Sequence, residues 1–148
     1  MKSKDASADD VDMIAIRALL ERSGLPTSDL DTARPDFAVI RQNGQVIAAG
    51  ALQRFGSSAL LRSVVVAPER RETGLGRAVV SELEQRARTA HINRLILLTQ
   101  SAAKFFARQG YRVIERSSAP QDMLESEEFR SLCPSSATCM AKSLTEGT

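Results

Sequence analysis

The fold of this 148-residue chain is decided at VVVAPERRETGLGR, residues 64–77. A run of β-branched residues ends at Pro68, an arginine-rich turn follows, and a helix begins through Gly74 and Gly76. That order predicts a strand, an open loop and a helix whose first amides lack partners. These amides and the helix dipole favour an anion, and glycine places no Cβ against a bound phosphate. The stretch therefore predicts a site for a phosphorylated ligand.

Length and composition narrow the class of protein. A chain of this size is expected to form one domain over residues 1–148, with a polar N-terminal tail at 1–9. The net charge is +2 and the arginines are scattered among acids, so no nucleic-acid partner is expected. No apolar run approaches about 18 residues and the N-terminus is polar, so we expect neither a membrane span nor a signal peptide. Two cysteines are too few for a disulfide scaffold, which favours a cytoplasmic location.

The first half of the chain reads as a helix followed by three strands. Asp10 is placed to cap a helix that Gly24 closes. Apolar runs at 37–42 and 46–55 flank Asn43-Gly44, the dipeptide most typical of a tight hairpin, and a third run covers 59–66. The pattern predicts a three-stranded antiparallel meander. Gly50, inside the second strand, predicts a bulge or a close backbone approach.

The second half alternates helices and strands. An i, i+4 apolar stripe predicts a helix over 74–90. The remaining pattern predicts a short helix at 102–109. It also predicts a capping box from Ser118 to Gln121 that opens a helix towards Phe129. Strands are predicted at 94–99, 111–116 and 137–144. The fold class is therefore α/β, a mixed and mostly antiparallel sheet of about six or seven strands flanked by helices.

Two common phosphate-binding loops do not fit residues 64–77. A P-loop ends in Gly-Lys-Ser/Thr, whereas Gly76 is followed by Arg77-Ala78. A dinucleotide fingerprint requires a third small residue where this chain has Val79, and it follows an early strand that is missing here. The glycines thus belong to another kind of site.

The complete string resembles the GNAT acyltransferase superfamily. Its acetyl-CoA signature, Arg/Gln-x-x-Gly-x-Gly/Ala at a strand-to-helix junction, matches Arg71, Gly74 and Gly76. A second match, AKFFARQGY at residues 103–111, is similar to the family's short helix that ends in Gly-Phe/Tyr. The resemblance extends over roughly residues 11–144 and implies a single GNAT-type domain.

The resemblance implies that acetyl-CoA is the co-substrate and a small amine the acceptor. Backbone amides of residues 71–77 would hold the pyrophosphate, the strand before them would pair with the pantetheine arm, and a main-chain N–H there would stabilise the acetyl carbonyl. The amine would attack directly. The residues assigned to the cofactor are Val64, Val66, Arg71, Glu72, Thr73, Gly74, Leu75, Gly76, Arg77 and Phe106.

The chain departs from the family at the catalytic acid. Many members place a tyrosine four residues before the glycine of the second motif, and Phe106 stands there. Tyr111, Ser101 or a water molecule are the alternatives for protonating the leaving thiolate. Glu115, on a late strand, is the candidate base, since an amine must be neutral to attack. His91, the lone histidine, fits a helix C-terminus better than a catalytic role.

The C-terminal segment bears on the acceptor. Phe129, Leu132, Cys133 and Pro134 form a Phe-x-x-Leu-Cys-Pro pattern that resembles the small N-acetyltransferases encoded with arsenic-resistance genes. That resemblance implies a phosphinothricin-like or arsenic-containing amino acid. Such a substrate favours arginine forks, and the candidates are Arg54 and Arg62.

Several alternatives stay open from the sequence. Cys133 and Cys139 raise a metalloid-binding hypothesis, but their spacing fits no compact metal motif and no metal is expected. The absent tyrosine also allows a non-catalytic sensor of acyl-CoA. A protein lysine or N-terminal acetyltransferase is a third possibility. A homodimer is compatible with the predicted sheet edges.

Overall fold

The computed structural model describes residues 9–71 and 73–145, apart from the side chain of Val11. The predicted tail falls mostly on residues 1–8, which lie outside the described residues. Five α-helices lie at Asp10–Arg22 (α1), Leu30–Ala33 (α2), Leu75–Thr89 (α3), Ala103–Arg108 (α4) and Gln121–Leu124 (α5). Six strands lie at Asp36–Gln42 (β1), Gln45–Phe55 (β2), Ser58–Val66 (β3), Arg94–Thr99 (β4), Arg112–Val113 (β5) and Thr138–Ser143 (β6).

The strands form one mixed sheet in the order β1-β2-β3-β4-β6-β5. Every pair is antiparallel except β3 and β4, which run parallel and are connected through α3. The predicted α/β class and strand number are thus confirmed. In the described parts of the chain, no helix has the length and apolarity needed to cross a membrane.

Helices cover both faces of the sheet because strand residues alternate between the faces. On one face, Ala38 and Leu61 pack with α3, whose Val79 and Leu83 are almost completely buried. On the other face, Phe37, Val39 and Ala49 are among the strand residues that pack against α1, and the C-terminal segment around Met123 covers Leu60 and Ile96. The sheet is therefore buried on both sides along its central strands.

The cap of α1 differs from the sequence prediction by one residue. Asp9, not Asp10, is the N-cap, and its carboxylate accepts the Asp12 amide while the Asp12 carboxylate accepts the Asp9 amide. The reciprocal pair satisfies two amides that a cap at Asp10 would leave open.

The segment after α4 also differs. The predicted strand at 111–116 shortens to β5, so Glu115 lies outside the strand, and a 3₁₀ turn begins at Arg116. The predicted capping box is wrong, since Ser118 lies inside that 3₁₀ turn and the N-cap of α5 is Pro120. Proline holds the preceding residue in an extended conformation, so a helix cannot start before it. A separate π-helical turn, Glu128–Leu132, replaces the end of the predicted helix.

Candidate active site

The site begins where β3 and β4 part. They pair only from Ser58 to Leu60 on one side and Arg94 to Ile96 on the other, although both strands continue. β4 instead stays paired with β6 as far as Thr99. The facing backbone groups of the continuing strands are left for another partner, as when an extended ligand adds to a strand. A cleft thus opens between the two halves of the sheet.

A bulge in β3 lies at the wall of this cleft. Ala49 pairs with Val65 and Ala51 pairs with Arg62, so Ser63 and Val64 together oppose Gly50. Ser63 has φ +61°, a left-handed conformation that is costly for a residue with a side chain and is enriched at functional sites. Ser63 and Val64, the two residues of the bulge, both line the cleft.

Gly50 makes the bulge compatible with the packing of α3. A Cβ added to Gly50 would lie 2.7 Å from Val79 Cγ1 and 2.9 Å from Leu83 Cδ1. The close approach predicted at Gly50 is therefore present, and the predicted bulge occurs on the neighbouring strand, opposite Gly50.

The N-terminus of α3 closes one end of the cleft. Gly74 is its N-cap with φ +87°, and no side chain caps the helix, so its first amides keep their hydrogen-bonding capacity. A Cβ at Gly74 would meet nothing within 4 Å, whereas one at Gly76 would lie 3.3 Å from Phe105 Cζ. Gly74 thus provides open space for an anion, and Gly76 allows α3 and α4 to pack closely.

The side chain of Arg71 organises the loop before α3. Its Nε donates to the Val66 carbonyl at 3.3 Å, and its Nη2 donates to Ser23 Oγ at 3.1 Å. The hydroxyl of Thr73 donates to the Arg70 carbonyl. These bonds hold the loop against β3 and the end of α1. Glu72, assigned to the cofactor from the sequence, lies outside the described residues.

The cleft has a volume of about 800 Å³ and runs from the α3 N-terminus to the C-terminal segment. It is lined by most of the residues assigned to the cofactor from the sequence: Val64, Val66, Arg71, Gly74, Leu75, Gly76, Arg77 and Phe106. The geometry thus brings these residues together around a space that fits an elongated phosphorylated ligand. Thr73 is exposed and lies beside this set, in the loop before α3.

A buried polar cluster forms the opposite end of the cleft. The Arg62 guanidinium donates to both carboxylate oxygens of Asp29, at 2.6 and 2.7 Å, and to Gln53 Oε1 at 2.9 Å. Arg62 Nη2 lies 3.3 Å from Glu128 Oε1, an ion-pair distance without hydrogen-bond alignment. Arg62 Nε also approaches Ser63 Oγ, at 3.4 Å, and so links the cluster to the bulge.

The pKa values of Glu128 and Cys133 in this cluster are both raised. Burial raises the pKa of Glu128 even though Arg62 and Cys133 both oppose the shift. Cys133 Sγ donates to Glu128 Oε2 at 3.3 Å. Burial first, and then the Glu128 charge, raise the pKa of Cys133 to about 12. Cys133 is therefore a thiol at neutral pH and donates a hydrogen bond to the carboxylate.

The comparison with protein families identifies the fold. The model for the acetyltransferase (GNAT) domain matches residues 33–113, which is more than half of the chain. The chain belongs to the GNAT acetyltransferase family. The matched residues include β3, the loop with Arg71 and the glycines, α3 and α4.

Sequence relatives of this GNAT chain include acetyltransferases. It is 30% identical over 115 residues to an amino-acid acetyltransferase of Pseudomonas putida (strain GB-1), covering 73% of this chain and 27% of that protein. It is 36% identical over 87 residues to the uncharacterized N-acetyltransferase CT2212 of Chlorobaculum tepidum, covering 58% of this chain and 56% of that protein. The match thus spans less than two thirds of either relative.

Solved GNAT structures superpose on nearly the whole chain. Rv2747 from Mycobacterium tuberculosis, in complex with CoA and NLQ, gives a TM-score of 0.83 at 27% identity and covers 97% of this chain and 100% of its own. N-acetylglutamate synthase from Neisseria gonorrhoeae, complexed with coenzyme A and N-acetyl-glutamate, gives a TM-score of 0.82 at 18% identity. That match covers 99% of this chain and 36% of the synthase chain.

The candidate acid of this GNAT domain, Tyr111, lies in the core. Its hydroxyl donates to Glu84 Oε2 at 2.8 Å, and burial together with the Glu84 charge raises the pKa of Tyr111 far above its ordinary value. Phe106 packs edge-on against both Phe105 and Tyr111 and has one side on the cleft. Tyr111 is thus not among the residues that line the cleft, whereas Phe106 is.

The other catalytic and substrate candidates divide between cleft and surface. Arg62 lines the cleft, with its fork directed at Asp29 rather than at open space. Arg54 is exposed and donates to the Gly56 carbonyl at the β2–β3 turn. Glu115 is exposed, and neither it nor Arg54 lines the cleft.

The sequence interpretation missed Glu128 and Asp29. Both are carboxylates in loop or irregular segments, and only the fold brings them to Arg62 on β3. Neither position has a spacing that would single it out from the other acids of the chain. As for metals, the described residues contain no group of three or more His, Cys, Asp or Glu that could hold an ion, and Cys133 and Cys139 are free thiols.

Proposed function

We propose that this GNAT chain transfers the acetyl group of acetyl-CoA to the amine of a small molecule, and that this acceptor is an amino acid. The observation that carries the proposal is the parting of β3 and β4 beside an uncapped α3 N-terminus. Family membership, and neighbours whose structures contain coenzyme A, support the co-substrate. The amino-acid acceptor is supported by the relative from Pseudomonas putida and by the N-acetyl-glutamate of the Neisseria gonorrhoeae complex.

Within the amino acids, we propose an acceptor with an additional anionic group, of the phosphinothricin-like or arsenic-containing kind. The Phe-x-x-Leu-Cys-Pro pattern supports this choice, and its cysteine lies at the cleft.

Each part of the cleft has a role in this proposal. The first amides of α3 bind the pyrophosphate, because they are unpaired and lie at the positive end of the helix dipole. The β3 backbone at Val64 and Val66 pairs with the pantetheine arm, and a main-chain N–H at the bulge stabilises the developing oxyanion. Acetyl-CoA supplies an activated thioester. Direct attack by the amine then forms the amide and releases coenzyme A.

An acceptor panel tests the proposal. Thiol release from acetyl-CoA is measured with glutamate, other amino acids, phosphinothricin, polyamines and lysine peptides, and the melting temperature is recorded with coenzyme A alone. We expect coenzyme A to raise the melting temperature and thiol release to depend on an amino acid, with the highest kcat/KM for an acceptor that carries a second anionic group.

Other outcomes of the panel identify the alternatives. Stabilisation by coenzyme A without turnover on any acceptor would indicate an acyl-CoA sensor, which the phenylalanine at position 106 also allows. Release that depends on peptides alone would indicate a protein acetyltransferase. Either result contradicts the amino-acid proposal.

The remaining predictions concern the whole protein. We propose a cytoplasmic location, which is supported by two cysteines that are free thiols. A single domain over 1–148 and a homodimer remain predictions. The dimer has two open sheet edges available to it, β1 and β5, among the described strands.

A further inference from the structure

Glu128 contains a buried oxygen that the fold does not satisfy. Only 8% of its side chain is exposed, and Oε1 is the one buried side-chain oxygen or nitrogen among the described residues without a hydrogen-bond partner. A buried acceptor without a hydrogen bond is costly, because its lost hydration is not replaced. Glu128 lines the cleft, so a ligand bound there lies next to this carboxylate, whose Oε1 still lacks a hydrogen-bond donor.

The charge around Glu128 favours a cationic donor. Arg62 is matched by the bidentate pair with Asp29, so the two carboxylates outnumber the one guanidinium. The groups that face Glu128 are Arg62 from β3, Asp29 from the segment before α2 and Cys133 from its own segment, with Arg116 beyond Cys133. Among the groups in direct contact, this balance leaves one negative charge, which favours an ammonium group.

The neighbouring residues orient the carboxylate. Cys133 donates to Oε2, which leaves Oε1 as the oxygen without a hydrogen bond. Arg62 holds the same carboxylate next to Ser63 of the β3 bulge, the feature to which the acetyl carbonyl is assigned under the proposed function. This unsatisfied oxygen thus lies at the acceptor end of the cleft.

We propose that Glu128 binds the ammonium group of the acceptor through Oε1 and removes one proton from it. The inference rests on the proposed function and assigns its general base, with Cys133 and Arg62 as positioning residues. The first proton passes from nitrogen to Glu128, and the freed lone pair forms the C–N bond at the acetyl carbon. The C–S bond breaks with its electron pair on sulfur, and the second nitrogen proton goes to that thiolate. Glu128 then returns its proton to solvent.

The pH profile of kcat/KM with the best amino-acid acceptor tests the inference. A carboxylate base makes kcat/KM rise with pH through the pKa of Glu128, which burial places above the ordinary carboxyl range. Glu128→Gln is expected to lower kcat/KM at pH 7 by about 100-fold or more. The deficit should shrink as pH rises, because the acceptor amine then loses its own proton. Calorimetric titration with coenzyme A should give wild-type affinity and so report an intact fold.

Two cysteine variants give an independent measurement. Cys133→Ala removes a hydrogen bond that lowers the pKa of Glu128. The acid limb, which is the rise of kcat/KM on the low-pH side of the profile, should therefore move to higher pH. Cys133→Ser keeps a donor and should leave the limb near its wild-type position. Glu127→Gln, an exposed carboxylate in the adjacent position, is the matched control and should retain wild-type kinetics.

The outcomes separate the inference from the proposed function. If the wild type acetylates an amino acid and Glu128→Gln has the same kcat/KM, the inference is overturned and the proposed function is not. A loss of the acid limb in Glu115→Gln instead assigns the base to the residue favoured by the sequence, and also overturns it. An acid limb that Cys133→Ala does not shift contradicts the positioning role. Wild-type protein that acetylates no amine overturns both.

Discussion

At the scale of single residues, glycines determine whether a phosphate fits the α3 N-terminus. Gly74 has a left-handed backbone, which affects stability, and open space at its Cβ position, which affects phosphate binding. A suitable control variant separates these two effects. Gly44 offers that control, because it has φ +76° and an equally open Cβ position but lies in the β1–β2 turn.

Gly74→Ala and Gly44→Ala should therefore differ in only one respect. Both place a Cβ on a left-handed backbone and should lower the free energy of unfolding by about 1–2 kcal/mol, measured in urea. Gly74→Ala should in addition weaken coenzyme A binding, measured by calorimetry, because the new methyl group occupies the phosphate position. Equal coenzyme A affinities in the two variants would contradict the placement of the phosphate.

At the scale of elements, a second polar cluster, distinct from that around Arg62, joins α3, β6 and the end of α4. The Glu84 carboxylate accepts from Tyr111 and, through both oxygens at 3.1 Å, from Lys142 Nζ. Lys142 also donates to the Gln109 carbonyl at 2.8 Å. These bonds connect a helix to a strand through groups that are largely buried, which is a structural role rather than a catalytic one.

This role predicts what substitutions in the cluster do. Tyr111→Phe should lower the free energy of unfolding by about 1–3 kcal/mol, because a hydrogen bond to a buried carboxylate is lost. It should leave kcat/KM of the folded protein near the wild-type value. Glu84→Gln should be the more destabilising change, since Lys142 loses its counter-charge. A large fall in kcat for Tyr111→Phe with unchanged stability would restore Tyr111 as the acid.

At the scale of the whole molecule, the sequence predicted what depends on local patterns. The meander, α3 and the strand at 94–99 follow from apolar periodicity and from the Asn43-Gly44 turn, and the structure confirms them. The cofactor end could be read because its residues are contiguous in sequence. At the acceptor end only Arg62 was predicted, because Asp29 and Glu128 come from distant segments that meet it only after folding.

The segment between β5 and β6 shows the same limit. A capping-box pattern at Ser118 predicted one helix, but Pro120 fixes the start of α5 and packing against Leu60 and Ile96 breaks the remainder into separate turns. Tertiary contacts outweighed a local preference there. That irregular path also places Glu128 at the cleft.

The central claim is that the cleft binds acetyl-CoA with its pyrophosphate at the α3 N-terminus. Calorimetric titration of the wild-type protein with coenzyme A and, separately, with pantetheine tests this directly, because only coenzyme A has the phosphates. We predict one coenzyme A per chain and at least about tenfold weaker binding of pantetheine, since hydrogen bonds to charged groups contribute about 1.5–3 kcal/mol each. Equal affinity for the two ligands, or no binding of coenzyme A, would contradict the account.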